Sequence, residues 1–298
     1  MITSRRRYIA VIGPTASGKS ALAMRLAAAH NGELVNCDSV QIYRGFAIGA
    51  AKPTAEEQAA IPHHLIDCLN WDEEFDARKF ARLADAAIDE ILARGKLPIV
   101  VGGTGLYLKA LWQDGFHDLP KDNLLRIELS QMTLEELRIE LDRLDPLRSV
   151  EIHGNDRFRL QRAVEVAKLL GHSVKDLDAP VSRREEAFVI HMSCPRGVLH
   201  QRIEVRSKVM LYSGLIDEVR RLIAQGVDEA SKPMQSIGYR EVALYLRGKL
   251  TRDQLEEAIV IATRQYAKRQ ETLFRKIQSD FEWQTESSLN ELWSLWID

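Results

Sequence analysis

Short apolar runs alternate with amphipathic stretches through the first hundred residues of the chain. Residues 8–12 form a continuous apolar run, which is typical of a strand covered on both faces. The stretch SALAMRLAAAH follows with helical spacing, and strand patterns recur at 33–37 and 99–101 around a helical pattern at 77–93. Strands and helices that alternate in this way predict an α/β fold, a parallel sheet flanked by helices.

The pattern changes near Leu119 and Pro120. From there to residue 186 the sequence is helical, with EELRIELDRLDP and FRLQRAVEVAKLLG as amphipathic segments. A strand-like run at 187–193 is followed by four helical stretches, near 198–211, 214–224, 238–246 and 252–277. We therefore expect a core made of residues 1–118 and 187–298, with an α-helical insertion domain at 119–186. We assign no function to 280–298, whose tryptophans at 283, 293 and 296 we expect to dock against the core.

The first predicted strand leads into GPTASGKS, which matches the whole GxxxxGK[ST] P-loop pattern. In such a loop, backbone N–H groups at a helix N-terminus bind phosphate, the lysine adds a positive charge and the hydroxyl can coordinate Mg²⁺. We therefore predict a P-loop NTPase-like core, with Ser20 as the magnesium ligand. The alternative, a chance glycine-rich turn, does not explain the strand before the loop and the helix after it. The predicted phosphate-binding residues are Gly13, Pro14, Thr15, Ala16, Ser17, Gly18, Lys19 and Ser20.

Two further polar turns follow predicted strands. Asp38 comes directly after the second strand, and the glycine-rich turn 102–105, GGTG, follows the third. Because the carboxyl ends of parallel strands line the ligand crevice of such sheets, we expect both turns to lie beside the P-loop. Simpler roles remain open from position alone, since Asp38 could cap a turn or helix and GGTG could be a tight strand-to-helix connection.

An ordinary kinase needs an acid that holds magnesium at the end of a strand and an arginine-bearing lid. The strand that ends in IVVGG carries no such acid. The segment after Asp38 also continues with polar residues, Ser39 and Gln41, unlike a Ras-type switch. The sequence therefore favours a P-loop protein that performs other chemistry.

The net charge of the chain conceals an uneven distribution of basic and acidic residues. The 298 residues are 45% hydrophobic and 28% charged, and 41 Lys and Arg against 43 Asp and Glu give a net charge of −2. That total argues against a nucleic-acid binder, but residues 191–280 carry 16 basic and 11 acidic side chains, and the last eighteen carry four acidic and no basic ones. Because a local patch binds a phosphate backbone, the total does not exclude nucleic acid.

Neither a membrane span nor a signal peptide is visible in the sequence. The three cysteines, Cys37, Cys68 and Cys194, are scattered and lack metal-site spacing. We therefore expect a reduced, cytoplasmic protein that does not bind membranes. Nothing in the pattern indicates an obligate dimer, so we expect a monomer.

Nine sequence blocks carry a family resemblance. In order they are GPTASGKS, NCDSVQIYRG, IGAAKPT, PHHLID, GGTGLYLKAL, NDRFRLQRAVEV, RIEVRSKVMLYSGLIDEV, SIGYRE and ATRQYAKRQ. Together they resemble the tRNA dimethylallyltransferase family, also called isopentenyl-tRNA or IPP transferases, from about residue 8 to residue 277. Ala50, Gly154 and Leu273 depart from the family pattern, which puts only local packing in doubt.

The resemblance implies transfer of a dimethylallyl group from dimethylallyl diphosphate to the exocyclic N6 amine of adenosine 37, on the 3′ side of the anticodon of tRNA. It implies that Asp38 is the general base, that Thr104 lies near the bridging oxygen, and that Lys19 contacts the diphosphate. Arg202 and Arg206, four residues apart and hence on one helical face, are candidates to close over the same diphosphate. Without the resemblance they would be interpreted as a solvated or paired helix face.

An adenosine stacked in the anticodon loop must be extracted before it reacts, so the insertion domain is expected to grip the anticodon stem-loop. NDRFRLQR places arginines at helical spacing around an aromatic residue. Taken alone, these arginines are more simply a solvated face. The expected tRNA-binding residues are Asp38, Ser39, Val40, Gln41, Thr104, Phe158, Arg159, Leu160, Gln161 and Arg162, with Arg157 in the same run.

Three alternatives to this function remain. A free adenine-nucleotide isopentenyltransferase would perform the same chemistry on AMP, ADP or ATP, without needing an arginine-bearing insertion. A small-molecule kinase would turn over ATP and phosphorylate its product. A non-catalytic tRNA-binding module would not need Asp38, Lys19 and Thr104 together.

Overall fold

The computed structural model describes residues 6–114, 119–177, 181–284 and 289. The strands are β1 (Tyr8–Ile12), β2 (Gly32–Cys37), β3 (His63–His64), β4 (Leu97–Gly102), β5 (Gln113–Asp114), β6 (Val181–Ser182), β7 (Ala187–Met192) and β8 (Phe281–Trp283). The helices are α1 (Lys19–Ala29), α2 (Ala55–Ala60), α3 (Ala77–Ala93), α4 (Gly105–Leu111), α5 (Asn123–Gln131), α6 (Leu134–Leu144), α7 (Pro146–Ser149), α8 (Arg157–Leu170), α9 (Arg196–Tyr212), α10 (Leu215–Ala224), α11 (Tyr239–Leu246) and α12 (Arg252–Phe274). Within the described ranges, none of the helices is both long and apolar enough to cross a lipid bilayer.

Six strands form one parallel sheet in the order β3-β2-β4-β1-β7-β8. Every residue of β1 is buried, and Ile9 pairs with Ile99 of β4 on one side and with Phe188 of β7 on the other. The chain leaves β1 between these two neighbours, which is where open α/β sheets form a ligand crevice. The predicted α/β fold with a parallel sheet flanked by helices is confirmed.

The core of the sheet is built from apolar residues on adjacent elements. Leu22 and Leu26 of α1 pack with Ile9, Leu34 and Ile190 from three strands. Helix α3 has the bounds that the sequence pattern predicts, because its buried positions recur at helical spacing and the Asp76 side chain caps it by accepting the Lys79 N–H at 2.9 Å. These elements fix the carboxyl ends of β1, β2 and β4, where the glycine-rich turns begin.

The strand β8 adds an edge that the sequence pattern does not indicate. It pairs in parallel with β7, and Trp283 is buried in the main core. The expectation that the tail packs against the core is therefore confirmed for Trp283. The other two tryptophans, at 293 and 296, lie outside the described residues.

Residues 113–182 form a compact unit of their own, and the remaining chain forms the other unit. The smaller unit contains α5 to α8, and its core includes Leu129, Leu137 and Leu160. Its bounds differ from the expected 119–186, because β5 and β6 pair antiparallel and close the unit, whereas the signal at 119–120 marks only the approach to α5.

Candidate active site

The loop from Gly13 to Gly18 connects β1 to α1. Gly18 precedes the helix at φ +96°, a left-handed conformation that residues with a Cβ rarely adopt. Because α1 begins at Lys19, the unpaired N–H groups and the positive end of the helix dipole lie at this loop. The Lys19 Nζ donates to the Pro14 carbonyl at 3.2 Å, which holds the ammonium group against the loop. The segment is therefore arranged to receive an anion.

Burial and neighbouring charges shift the pKa of Lys19. Its pKa is lowered to about 8, chiefly by burial and further by the Arg206 guanidinium, while Asp38 acts in the opposite direction. A bound diphosphate would add negative charge beside the ammonium and favour its protonated form. Lys19 and Arg206 thus form a cationic pair that is poised for an anionic ligand.

Asp38 follows β2 and shapes the turn after it. Its Oδ1 accepts hydrogen bonds from the N–H groups of Val40 at 2.8 Å and Gln41 at 3.2 Å. The carboxylate is therefore a turn cap, as the simpler interpretation expects. Both bonds end on the same oxygen, and among the described residues no hydrogen bond ends on Oδ2. That second oxygen is available to a ligand.

Residues 48–51, part of which lines the cavities together with Asp38, are held by hydrogen bonds with two side chains. The Gln41 side-chain amide donates to the carbonyls of Ala50 at 3.0 Å and Ala51 at 3.2 Å. Glu218, a buried carboxylate on α10, accepts the Ile48 N–H at 2.9 Å. Gln41 thus uses both amide hydrogens on the protein's own backbone and helps to hold this wall in place.

The second glycine-rich turn packs against the end of β2. A Cβ on Gly102 would lie 2.0 Å from the Cys37 carbonyl oxygen, so only glycine fits there. The Thr104 N–H donates to the same carbonyl at 3.4 Å, and α4 begins at the next residue, so the turn is also a strand-to-helix connection. The Thr104 Oγ1 is buried beside the Tyr266 phenol. This hydroxyl can donate to a ligand.

Gln270 of α12 joins the two glycine-rich turns. Its side-chain oxygen accepts the Thr15 N–H at 2.8 Å, and its side-chain nitrogen donates to the Gly103 carbonyl at 2.9 Å. The side chain is buried, and a Cβ on Gly103 would lie 2.2 Å from that nitrogen. Sequence reasoning assigned no role to Gln270, and the only available signal was its place in the ATRQYAKRQ block.

Two cavities adjoin at these turns, a large cavity of about 480 Å³ and a small cavity of about 290 Å³. Both are lined by Thr15, Asp38, Ala50, Arg206 and Tyr266. Asp38 and Arg206 therefore stand where a ligand in one cavity meets a ligand in the other. The site is suited to a reaction between two bound molecules.

The two cavities differ in their other walls. The small cavity includes Lys19 and Ser20 of the P-loop together with the apolar side chains of Met24, Leu34, Ile66 and Val101. The large cavity includes Ser39 and Val40 of the Asp38 turn, and residues of α9 and α12 such as Met210, Gln265 and Arg269. The small cavity suits an anion with an apolar group attached, and the large cavity suits a bigger polar ligand.

Tyr266 is a second residue of the site that sequence reasoning did not single out. Burial and the negative charge of Asp38 raise the pKa of its phenol, so the hydroxyl stays protonated. The Arg269 guanidinium lies 5.9 Å from the ring centroid, within cation–π range. A neutral phenol therefore lies beside the carboxylate at the junction of the cavities.

The structure separates the two arginines of α9 that were expected to act together. Arg206 lines both cavities, and its pKa is lowered by burial with Asp38 opposing. Arg202 lines neither cavity and donates to the Ser17 carbonyl at 3.3 Å. The four-residue spacing places both on one helical face, and one turn of helix separates Arg206 at the cavities from Arg202 at the Ser17 carbonyl.

In the smaller unit, several residues of the expected tRNA-binding run are buried or bound to other parts of the protein. Leu160 is fully buried in that unit's core, and the Gln161 amide donates to a backbone carbonyl at 3.0 Å. Arg162 donates to the carbonyls at 119 and 120 and pairs with a buried carboxylate, Glu165, at 2.6 Å. Arg157 is likewise bound to two backbone carbonyls.

Two members of the run do reach the surface. Phe158 is 82% exposed, and the Arg159 side chain is 70% exposed and forms an ion pair with Asp156 at 3.3 Å. Helical periodicity explains the difference, because α8 turns Leu160 and Val164 inward and leaves Phe158 and Arg159 outside.

Comparison with known proteins identifies the relatives of this chain. A family model described as IPP transferase matches residues 41–277. A tRNA dimethylallyltransferase from Exiguobacterium is 44% identical over 273 residues, which cover 90% of this chain and 86% of the relative. A protein named tRNA dimethylallyltransferase 1 from Citrifermentans bemidjiense is 45% identical over 93% of this chain and 91% of its own length.

Solved structures show the same likeness. The tRNA delta(2)-isopentenylpyrophosphate transferase of Staphylococcus epidermidis superposes with a TM-score of 0.69 at 34% identity, over 96% of each chain. A eukaryotic dimethylallyltransferase acting on tRNA gives a TM-score of 0.72 at 29% identity, over 90% of this chain and 69% of the other. Sequence and structure therefore agree over most of the chain, which belongs to the IPP transferase family.

Proposed function

We propose that this protein transfers a dimethylallyl group from dimethylallyl diphosphate to the exocyclic N6 amine of adenosine 37 in tRNA. The observation that carries the proposal is the position of Asp38 at the junction of two cavities, one of which includes the P-loop. The curated relatives are named tRNA dimethylallyltransferases, which supports tRNA over a free adenine nucleotide as the acceptor.

The donor occupies the small cavity. Its diphosphate lies at the N-terminus of α1, where backbone N–H groups, Lys19 and Arg206 supply positive charge. The apolar side chains of the same cavity, Met24, Leu34 and Val101 among them, offer a surface for the allylic group.

The protein's oxygen donors fit a magnesium ion bound with the diphosphate. Among the described residues, no cluster of three or more His, Cys, Asp or Glu side chains could hold a metal alone. Mg²⁺ needs few protein ligands when substrate phosphates and water supply the others, and the Ser20 hydroxyl lines the cavity with a hard oxygen atom. When bound, the ion would neutralise charge on the leaving diphosphate.

Bond cleavage places negative charge on the bridging oxygen of the donor. The carbon–oxygen bond breaks as the N6 nitrogen forms its bond to the same allylic carbon. Lys19 and Arg206 stabilise the departing diphosphate, and the buried Thr104 hydroxyl donates to the oxygen on which charge develops. These groups are in place before the reaction, so little reorganisation is required.

Asp38 accepts the proton that the amine must lose. Attack by N6 leaves positive charge on that nitrogen, and the Oδ2 of Asp38 is the oxygen that the turn does not use. The carboxylate orients the amine, stabilises its charge and takes the proton. The two backbone hydrogen bonds on Oδ1 keep the group in position.

The adenosine enters the large cavity after leaving the anticodon stack. The walls of that cavity come from the Asp38 turn and from α9, α11 and α12, in the part of the chain where basic residues exceed acidic ones. The exposed side chains Phe158 and Arg159 are the residues of the expected run that remain available to RNA.

Mapping the modified nucleoside tests this proposal. The protein is incubated with dimethylallyl diphosphate, Mg²⁺ and unmodified tRNA, and the RNA is digested with site-specific nucleases for mass spectrometry. We expect one adenosine, on the 3′ side of the anticodon, to gain one isopentenyl unit. Modification at another position, or none with active donor and folded tRNA, would contradict the proposal.

A further inference from the structure

An open cleft lies beside the large cavity. Its volume is about 210 Å³, and its lining residues are Glu229, Ala230, Gln235, Arg240, Ala243, Leu244 and Arg247. Gln235 and Arg240 also line the large cavity, so the two spaces share a wall. A ligand that fills the large cavity therefore has its neighbouring groups next to this side cleft.

One face of α11 and the residue after it form the floor of the side cleft. Arg240, Ala243, Leu244 and Arg247 follow the spacing i, i+3, i+4 and i+7, which places them on the same helical face. Leu244, which is 37% exposed, supplies an apolar surface between two guanidinium groups, while Ala243 beside it is almost fully buried. An unstacked RNA base can lie against a guanidinium plane or an apolar side chain.

The opposite wall is a loop that carries Glu229. Arg247 pairs with the Glu229 carboxylate at 2.8 Å, and Arg240 pairs with Glu241 at 2.6 Å. The Gln235 side chain donates to the Glu229 carbonyl at 2.7 Å, which fixes the loop. Both guanidinium charges are thus already balanced, and the Glu229 carboxylate would repel a phosphate placed between them.

A base with an exocyclic amine fits these charges better than a phosphate does. A carboxylate accepts a hydrogen bond from the amine of cytosine or adenine. We propose that the side cleft binds the base of a nucleotide next to the target adenosine, with the base on Leu244 and its amine on Glu229. The inference rests on the proposed function, because it requires RNA in the large cavity.

The test compares RNA and protein changes at the same contact. In an anticodon stem-loop, each nucleotide that flanks the target adenosine is made abasic in turn, and kcat/KM is measured at saturating donor. We expect one abasic RNA to lose about tenfold or more with the native protein. The double variant Leu244→Ala, Arg247→Ala should lose a similar factor on intact RNA and no further factor on that abasic RNA, because one contact cannot be lost twice.

Controls separate this inference from the proposed function. Transfer by the native protein to the intact stem-loop tests the function alone, and Arg221→Ala, an exposed arginine that lines none of the three spaces, controls for loss of charge. If the double variant loses a further factor in kcat/KM on the abasic RNA, so that the two losses multiply, the inference is overturned. A change in the salt dependence of binding that is equal for every RNA, as expected of a phosphate contact, would also overturn it.

A second variant keeps the test independent of folding. Glu229→Gln keeps the side chain's size, and thermal unfolding confirms that the variant is folded. The native protein should prefer adenine or cytosine to uracil at the contacted position, and Glu229→Gln should reduce that preference, since an amide can also donate to the uracil carbonyl. An unchanged preference would contradict the role of Glu229.

Discussion

The side-chain oxygen of Gln270 accepts a hydrogen bond from the Thr15 N–H of the P-loop at 2.8 Å. The same amide group donates to the Gly103 carbonyl, so one buried side chain sets the distance between the two glycine-rich turns. One turn leads into Lys19 and the N-terminus of α1, and the other bears the Thr104 hydroxyl. Gln270 is therefore a positioning residue for the donor site.

Replacing Gln270 should weaken donor binding. In Gln270→Leu, the Thr15 N–H and the Gly103 carbonyl lose their partner, which costs about 1–3 kcal/mol of stability for each buried group. Gln270→Glu can still accept from Thr15 but cannot donate to Gly103, and it adds negative charge near the diphosphate. We expect the KM for dimethylallyl diphosphate to rise about tenfold in the first variant and further in the second. An unchanged donor KM in both, with Gln225→Leu as a surface control, would remove this role.

Asp38→Asn separates the two roles of Asp38. Asparagine keeps an oxygen that can accept the turn hydrogen bonds from Val40 and Gln41, but it cannot take the proton from the amine. We expect kcat to fall by about two orders of magnitude or more, while the Kd for tRNA changes by less than about threefold. Single-turnover rates and tRNA binding should be measured beside Asp217→Asn, an exposed carboxylate on α10. Near-normal turnover would assign the proton to another group.

The lowered pKa of Lys19 predicts that kcat/KM for the donor decreases at alkaline pH. Its lowered pKa, about 8 through burial and Arg206, means that the ammonium charge is present below that pH and is lost above it. The kcat/KM for the donor should therefore fall as pH rises through about 8, whereas an unshifted lysine would stay charged to about pH 10. Lys19→Arg stays charged and should lack this limb. The same limb in Lys19→Arg would assign it to a different group.

Arg159 and Arg162 should behave in opposite ways, although both were expected to bind RNA. Arg159→Ala should reduce the salt slope of tRNA binding by about one and leave stability unchanged, because its side chain is mostly exposed. Arg162→Ala should lower stability by about 1–3 kcal/mol, because buried Glu165 and two backbone carbonyls lose a partner. Binding at several salt concentrations and thermal unfolding distinguish them. If Arg162→Ala is as stable as the native protein and its tRNA binding has a reduced salt slope, Arg162 contacts RNA and this prediction is wrong.

Local sequence patterns were sufficient for much of the fold. The bounds of β1 and α3 coincide with the apolar run at 8–12 and the helical pattern at 77–93. The P-loop motif also fixed the strand, turn and helix around Lys19, because its glycines and helix N-terminus determine local geometry. The neighbouring position of Asp38 followed from the general rule for parallel sheets.

Features that depend on distant contacts could not be predicted. The edge strand β8 is only three residues long and exists because β7 pairs with it. Gln270 and Thr15 are 255 positions apart, so nothing local connects them. The bonds that occupy Arg162 end on the carbonyls at 119 and 120, which a helical pattern does not reveal. Charge and spacing located the helix in this case, but tertiary contacts decided which of its side chains remain available.

The most direct test of the central claim is a parallel transfer assay with radiolabelled dimethylallyl diphosphate and Mg²⁺. Initial rates are compared for unmodified tRNA, for an anticodon stem-loop, and for AMP, ADP and ATP at equal concentration. We predict label on tRNA and on the stem-loop, with loss of transfer in Asp38→Asn and no label above background on the free nucleotides. Labelling of the free nucleotides alone would contradict the account.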